Sequence, residues 1–463
     1  MVGFSGKQLN TIRWKTTMTK CLIVLLAFVL IGYAPAYAQE PKPSMSPDIM
    51  ATADTFVELL VKRDFTAVET YFDDKVKTAL PAEKLEQLWN RLNGQVGSFK
   101  RKVATRREDS GKFATVIVTC EFEKASLDVR MGFDNAGRIA GLNFAPAATA
   151  FEYTPPGYVN PNAFSEKEVT VGTGEWALPG TLSIPVGRGP FPAVVLVHGS
   201  GPGDRDETVG RNKPFRDLAW GLASQGVAVL RYEKRTRQYG AKLASVIGHF
   251  TVKEETIDDA LAAVTLLRAT AGIYPKKIFV LGHSLGGTLI PRIGKLDPRI
   301  AGFIVMAGLV KPMEDAFLEQ TTYIVSLDGT ISAEEQARLD EIKKQVAAVK
   351  SLTPSDINSP VRLLFAPVSY WLDLRGYDPA ATAKMLKQRM LILQGERDYQ
   401  VTMDDFQQWK TALSSRKNVT FKSYPALNHL FIPGNGKSQP AEYDIAGHVE
   451  EDVVNDIANW IKK

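Results

Sequence analysis

Ile278-Phe279-Val280-Leu281-Gly282-His283-Ser284-Leu285-Gly286-Gly287 passes from a short apolar run straight into a glycine-flanked serine. The run has the length and composition of a strand buried on both faces, and the residues beyond Gly287 read as a helix. A serine on so tight a strand-to-helix turn is held in a strained backbone. The flanking glycines leave room for that turn and for an approaching substrate. The same turn aims the amide of Leu285 at the place where a carbonyl oxygen would become an oxyanion. As a bare pattern, Gly-x-Ser-x-Gly arises by composition in roughly one such chain in ten. Its position between a strand and a helix gives it weight.

A serine hydroxyl is a poor nucleophile at neutral pH, so this reading requires a base and a group to orient it. The chain has five histidines: His198, His249, His283, His429 and His448. His198 falls in a turn after an earlier strand, His249 precedes the nucleophile, His283 is its neighbour, and His448 is expected on the last helix. His429 follows the final strand in Tyr424-Pro425-Ala426-Leu427-Asn428-His429, which brings it to the same sheet edge as Ser284. The acid is expected just after the strand between them. Met390-Leu391-Ile392-Leu393-Gln394-Gly395-Glu396-Arg397-Asp398 supplies Asp398, far enough into its loop to reach an imidazole, with Glu396 as the alternative.

A second oxyanion donor is expected in His198-Gly199-Ser200-Gly201-Pro202-Gly203-Asp204-Arg205-Asp206-Glu207, through the amide of Ser200. The glycines permit the close backbone approach that a developing negative charge requires. The loop lacks Gly-Lys-Ser/Thr and Gly-x-Gly-x-x-Gly, which argues against a nucleotide cofactor. Asp204, Asp206 and Glu207 stand without a histidine or cysteine grouping. They read as ion-pair partners of Arg205 and Arg211, not as a metal site, so neither cofactor nor metal is expected.

Outward from the elbow, strands alternate with helices. Val169 to Val171 and Leu178 to Ile184 read as an opening hairpin, and Ala193 to Val197 as a buried strand. Phe215 to Ser224 reads as a helix and Val227 to Arg231 as a strand. Thr251 and Glu254 form a capping box ahead of Ile257, Leu261 and Val264 on one helical face. Strands Ile278 to Leu281, Gly302 to Met306, Met390 to Gln394 and Thr420 to Tyr424 complete the series. This is an α/β pattern, a mostly parallel sheet with helices on both faces, over residues 166–463. The excursion at about 311–388 is too long for a plain connection and reads as a helical lid. Within it a capped helix begins at Ser332 and carries Leu339, Ile342, Val346 and Val349 on one face. Phe317, Tyr323, Phe365, Tyr370 and Trp371 either line an acyl pocket or pack the lid onto the sheet.

Residues 48–144 show helices first and strands second, a small α+β domain. Phe56, Leu59 and Leu60, then Leu85, Leu88 and Leu92, recur at helical spacing. Val116, Val118, Cys120 and Phe122 alternate with polar residues, as do Leu127, Val129, Met131 and Phe133, and Ile139 to Phe144 returns as a third strand. Residues 145–165, with Pro146, Pro155, Pro156 and Pro161, read as a linker.

The amino-terminal segment carries Lys7, Arg13, Lys15 and Lys20, then the apolar run Leu22 to Ile31 and Ala36-Tyr37-Ala38. That is the layout of a signal peptide over residues 1–38, with Met18 as an alternative start, and the apolar run is short for a spanning helix. Export to the periplasm or medium is expected, without membrane insertion after cleavage. Loss of the segment takes four positive charges and moves the formal charge from +5 to +1. Lys100 to Arg107 and Arg231 to Arg237 are the visible basic stretches and read as solvated loops or strand ends. No nucleic-acid partner is therefore expected. Cys21 leaves with the signal, so Cys120 has no partner in the mature chain.

From about residue 166 the chain resembles the α/β-hydrolases, and in particular bacterial serine carboxylesterases bearing His-Gly-Ser-Gly-Pro-x-Asp-Arg-Asp-Glu. Asn212-Lys213-Pro214-Phe215, Arg231-Tyr232-Glu233-Lys234-Arg235 and Gly282 to Gly287 carry the likeness. The resemblance implies a Ser284, Asp398, His429 triad and hydrolysis of short to medium acyl esters, small-molecule substrates, without a cofactor. Residues 48–144 resemble a small domain of unestablished role that precedes such esterases. A serine peptidase, an acyl-thioester hydrolase or acyltransferase of the same fold, and a non-catalytic envelope-binding protein are the alternatives.

Overall fold

The computed structural model describes residues 48–110, 113–147, 153–244 and 250–463. The signal-like segment, Cys21 and His249 lie outside the described residues.

The α+β region begins with helices α1 (Ile49–Val61), α2 (Phe65–Glu69), α3 (Asp74–Ala79) and α4 (Ala82–Val96). Asp48 caps α1 by accepting from the amides of Met50 and Ala51, satisfying donors that a helix start leaves open. Strands β1 (Phe99–Ser110), β2 (Phe113–Phe122), β3 (Ser126–Phe133) and β4 (Ile139–Pro146) form an antiparallel sheet in that order. Val116, Val118, Cys120, Val129 and Met131 face a core closed by Phe56, Leu60, Leu85 and Trp89. Lys100 to Arg107, read as a solvated loop or strand end, is solvated as expected but forms the body of strand β1. It is an edge strand whose charges find partners: Lys102 reaches Asp54 and Glu58, and Arg106 reaches the buried Asp128. A strand that offers so few apolar residues leaves no alternation to read.

The larger sheet contains β5 (Phe164–Val171), β6 (Leu178–Pro185), β7 (Phe191–Val197), β8 (Ala228–Tyr232), β9 (Ile273–His283), β10 (Gly302–Met306), β11 (Arg389–Gly395) and β12 (Val419–Tyr424). Their spatial order is β12-β11-β10-β9-β7-β8-β6-β5. β5 and β6 are antiparallel to their neighbours, and the remaining pairings are parallel. Strand β5 starts within the stretch that reads as linker and makes the opening hairpin longer than expected.

Helices α5 (Pro214–Ser224) and α13 (Glu451–Lys462) cover one face of this sheet. α6 (Asp258–Ala269), α7 (Leu285–Leu296) and α12 (Met403–Ala412) cover the other. Successive strand residues divide between the faces: Val195, Val197 and Val280 lie on the α7 side, and Val194, Leu196 and Leu281 on the α5 side. Two-sided burial explains why these strands are apolar throughout. Each buried Val, Leu or Ile contributes roughly 1.5–3 kcal/mol relative to exposure.

Register carries the site. Val197 pairs with Gly282, and His283 with Met306, so the carboxyl ends of β7, β9 and β10 finish level. The chain leaves β7 toward β8 on one side, while β9 lies on the other. Ligands in open α/β sheets bind at such a reversal.

Between β10 and β11 run α8 (Met313–Val325), α9 (Ala333–Ser351), α10 (Val368–Leu374) and α11 (Pro379–Lys384). The capping box at Ser332 and Glu335 is formed, and Leu339, Ile342, Val346 and Val349 are the buried residues of α9. The start of α6 departs from expectation. Thr251 and Glu254 do bond to each other, but Lys253–Ile257 winds as a π-helical turn. His448, expected on the last helix, lies ahead of α13 and contacts Asp217.

Candidate active site

Ser284 sits at the N-cap of α7 with φ 53° and ψ −118°. A non-glycine residue there costs on the order of 1–3 kcal/mol, and its surroundings must over-determine it. They do: the Ser284 amide donates to Met306 O at 2.9 Å, and Ser284 O accepts from the Thr288 amide at 2.9 Å. The glycines are steric necessities. A Cβ on Gly282 would lie 2.3 Å from the carbonyl of Gly286, and one on Gly286 would lie 2.3 Å from Val197 O. Leu285 opens α7, so its amide is among those a helix start leaves without an intrahelical acceptor.

His429 Nδ1 stands 2.6 Å from Asp398 Oδ2, with both residues buried. Asp398 Oδ1 accepts from the amides of Gln400 at 2.7 Å and Val401 at 3.0 Å, which fixes the carboxylate's direction. A carboxylate on Nδ1 selects the tautomer whose Nε2 can take a proton. Glu396, the alternative acid, accepts instead from Ser423 on the exposed side of the loop. Among the described residues Ser284 Oγ makes no hydrogen bond to the imidazole, and such contacts often tighten only around substrate.

The loop after β7 packs on the serine: a Cβ at Gly199 would lie 3.1 Å from Ser284 Cβ and 3.6 Å from its Oγ. The Gly199 amide is already committed, donating to Glu207 Oε1 at 2.6 Å. The amide of the exposed Ser200 has no acceptor among the described residues.

Arg205 does not pair with the acids beside it in sequence. Asp206 pairs with Lys213, Arg216 and Arg231, and Arg205 pairs with Glu168 and Glu233. Arg231 and Lys234 are 1% and 2% exposed, which corrects the reading of Arg231 to Arg237 as a solvated stretch. Their charges are drawn inward by Asp206 and by Glu255. Among the described residues no three His, Cys, Asp or Glu side chains group to hold a metal ion, and no helix is long and apolar enough to cross a membrane.

Sequence reasoning passed over a second buried acid–histidine contact. His283 Nε2 lies 2.9 Å from His429 O, and its Nδ1 lies 2.9 Å from Glu207 Oε2. The latter contact is close without the alignment of a hydrogen bond, so it acts chiefly as an ion pair. Both ring nitrogens face acceptors, which favours the imidazolium. Burial opposes that charge, but Glu207 and the His429 carbonyl outweigh it and raise the His283 pKa above its ordinary 6.5. Burial likewise opposes the Glu207 charge, and His283 and the Gly199 amide hold its carboxyl below the ordinary value. His198 is different: burial lowers its pKa, and its Nε2 is spent on Asp204 O at 2.8 Å.

Of the lid aromatics, Tyr370 and Trp371 are buried, and Phe365, 39% exposed, packs against Phe317 and Trp371. Tyr323 stacks on Tyr399, the residue after Asp398. Trp371 lines a cleft of about 440 Å³ with Thr288, Met313 and Tyr377, and Ser284 is not among that cleft's walls.

A mostly parallel sheet, helices on both faces, a serine at the strand-to-helix turn and an acid–histidine pair on the following loops define an α/β-hydrolase. The chain belongs to the family described as serine aminopeptidase, S33, whose model matches residues 189–433. Residues 53–142 match a second model, a protein of unknown function, DUF3887. The esterase EstD of Thermotoga maritima is 39% identical over 408 residues, covering 88% of this chain and 94% of its own. Among solved structures, an esterase of Pyrococcus furiosus aligns at 16% identity and TM-score 0.40, over 66% of this chain and 96% of its own. The acylaminoacyl peptidase of Pyrococcus horikoshii aligns at 13% identity and TM-score 0.44, over 79% of this chain and 56% of its own.

Proposed function

We propose that the chain is a serine carboxylesterase acting on short to medium acyl esters. The observation that carries this reading is the 2.6 Å contact between His429 Nδ1 and Asp398, on loops that end beside the Ser284 turn. His429 Nε2 takes the Ser284 proton as Oγ attacks the ester carbonyl, and the amides of Ser200 and Leu285 receive the oxyanion. Collapse of the tetrahedral intermediate expels the alcohol, which takes the proton from His429. Water, deprotonated by the same histidine, then releases the acid from the acyl-serine. The relationship to EstD supports an ester as the substrate.

A second reading is favoured by the family's own description: an aminopeptidase would acylate the same serine and expel an amine. We also propose export, on the charged, apolar and Ala-Tyr-Ala layout of residues 1–38.

Hydrolysis of p-nitrophenyl acetate, butyrate and octanoate, beside aminoacyl p-nitroanilides and with Ser284→Ala as control, tests both readings. Ester turnover that vanishes in the variant sustains the esterase; turnover of anilides alone replaces it with the peptidase. Silence on every substrate, with no labelling of Ser284 by a fluorophosphonate, removes both.

A further inference from the structure

The peptide that joins Gly199 to Ser200 is held from inside the protein. Gly199 O accepts from Lys234 Nζ at 2.7 Å, and Lys234 is 2% exposed. The main chain of Lys234 holds the other end of the loop, donating from its amide to Gly203 O at 3.1 Å. One residue therefore grips the Gly199–Gly203 loop at both ends. Lys234 lies at the exit of β8, a fixed point of the sheet.

Lys234 is itself held. Its Nζ lies 2.6 Å from Glu255 Oε1, and the other carboxylate oxygen of Glu255 accepts from Tyr370 OH at 2.8 Å. All members of this chain are buried. Burial, with Glu255 beside it, pushes the Tyr370 phenol well above its ordinary range, so it stays a donor. Glu255 belongs to the π-helical turn Lys253–Ile257, and Tyr370 to lid helix α10. Single π turns within helices recur at functional sites. A buried charge pair is a costly way to fasten two elements, and a fixed geometry is its best-attested use.

A trans peptide is planar, with its carbonyl and its N–H pointing in opposite directions. The only cis bond among the described residues is Gly189–Pro190. The direction of the Gly199 carbonyl therefore sets the direction of the Ser200 amide, on a peptide that starts at an α-carbon packed on Ser284. We infer that Lys234 is a positioning residue for ester hydrolysis: by gripping the Gly199 carbonyl it aims the Ser200 amide at the oxyanion, and Glu255 and Tyr370 make that aim depend on the seating of the lid. The inference rests on the esterase reading above.

Its test uses the full mature chain and p-nitrophenyl butyrate. Lys234→Met combined with Glu255→Gln leaves no unpaired buried charge, and Tyr370→Phe removes one hydroxyl at the lid end. Each is compared with wild type in kcat, KM and the inhibition constant of an alkyl trifluoromethyl ketone, whose adduct with serine carries an oxyanion. Loss of one oxyanion donor lowers kcat by roughly 100–1,000-fold. A misdirected donor is expected to cost about 10–100-fold in the double variant and about 3–10-fold in Tyr370→Phe, with KM within about twofold. The trifluoromethyl ketone weakens by the same factors. A merely structural role would lower the melting temperature while leaving kcat and the ketone's affinity in place, and that result overturns the inference. If the double variant does not fold, Tyr370→Phe decides alone, and an unchanged kcat overturns it. Failure of the esterase reading looks different: wild type itself shows no Ser284-dependent turnover and no fluorophosphonate labelling.

Discussion

His283 and Glu207 meet at 2.9 Å behind the proposed nucleophile, joining the residue before Ser284 to the loop that carries Ser200. Glu207 spends its other oxygen on the Gly199 amide, and His283 spends its other nitrogen on the carbonyl of His429. The contact thus references three segments of the candidate site to one another. Glu207→Ala leaves a buried imidazolium and an unanswered amide, and is expected to destabilise the fold by roughly 3–5 kcal/mol. Glu207→Gln retains an acceptor for Gly199 and is expected to lose less than half as much. Urea unfolding of the two variants beside wild type checks the ranking, and equal losses would reject the charge argument.

The same contact gives stability a pH window. His283 is raised from 6.5, so its contribution is complete below that value and is lost as pH climbs through the higher folded one. Glu207 is lowered from 4.5, so its contribution is complete above that value and is lost as pH falls through the lower folded one. Both contributions are whole between 4.5 and 6.5. The stability difference between wild type and His283→Gln should therefore be greatest inside this window and shrink on either side. Denaturant unfolding from pH 4 to 9 measures it, and a flat difference would remove the ion pair from the account.

Asp398→Asn keeps the size of the side chain and the bonds from Gln400 and Val401 but presents His429 with the wrong partner. The corresponding change in a serine-protease triad costs kcat about 10⁴-fold by trapping the wrong tautomer. A loss of that order is expected here, with a far-ultraviolet spectrum like that of wild type. Full activity would move the acid's role to Glu396.

Gly282→Ala would drive a Cβ to 2.3 Å from the Gly286 carbonyl, where both neighbours are backbone. Overpacking of this kind costs at least about 1–3 kcal/mol, and the turn cannot relax without moving Ser284. The variant should lose both melting temperature and fluorophosphonate labelling. Retention of labelling at the wild-type rate would show that the turn yields more easily than its packing implies.

Cys120 pairs with Leu127 in the β2–β3 ladder, fully buried, and burial pushes its thiol up to about 12. A thiol of that kind is inert as a nucleophile. A chain lacking residues 1–38, and with them Cys21, should leave a disulfide reagent uncoloured at pH 8 and titrate one thiol in guanidinium. Rapid native labelling would place Cys120 outside the core.

What the sequence determined by itself is what neighbours along the chain determine. The apolar run into Gly282-His283-Ser284 places a strand and a turn. The capping box at Ser332 places a lid helix, and the alternation through Cys120 places a core-facing strand. The order of Ser284, Asp398 and His429 after β9, β11 and β12 was legible for the same reason, since a parallel sheet delivers its strand ends to one edge. Tertiary structure alone decided which buried charges meet. Lys234, Glu255 and Tyr370 lie on β8's exit, a π-helical turn and a lid helix, while Glu207 lies on the loop after β7 and His283 at the end of β9. No periodicity marks such residues, because a charged side chain is written the same way whether it ends in water or against a partner. Only packing, by removing the water, makes the partner necessary.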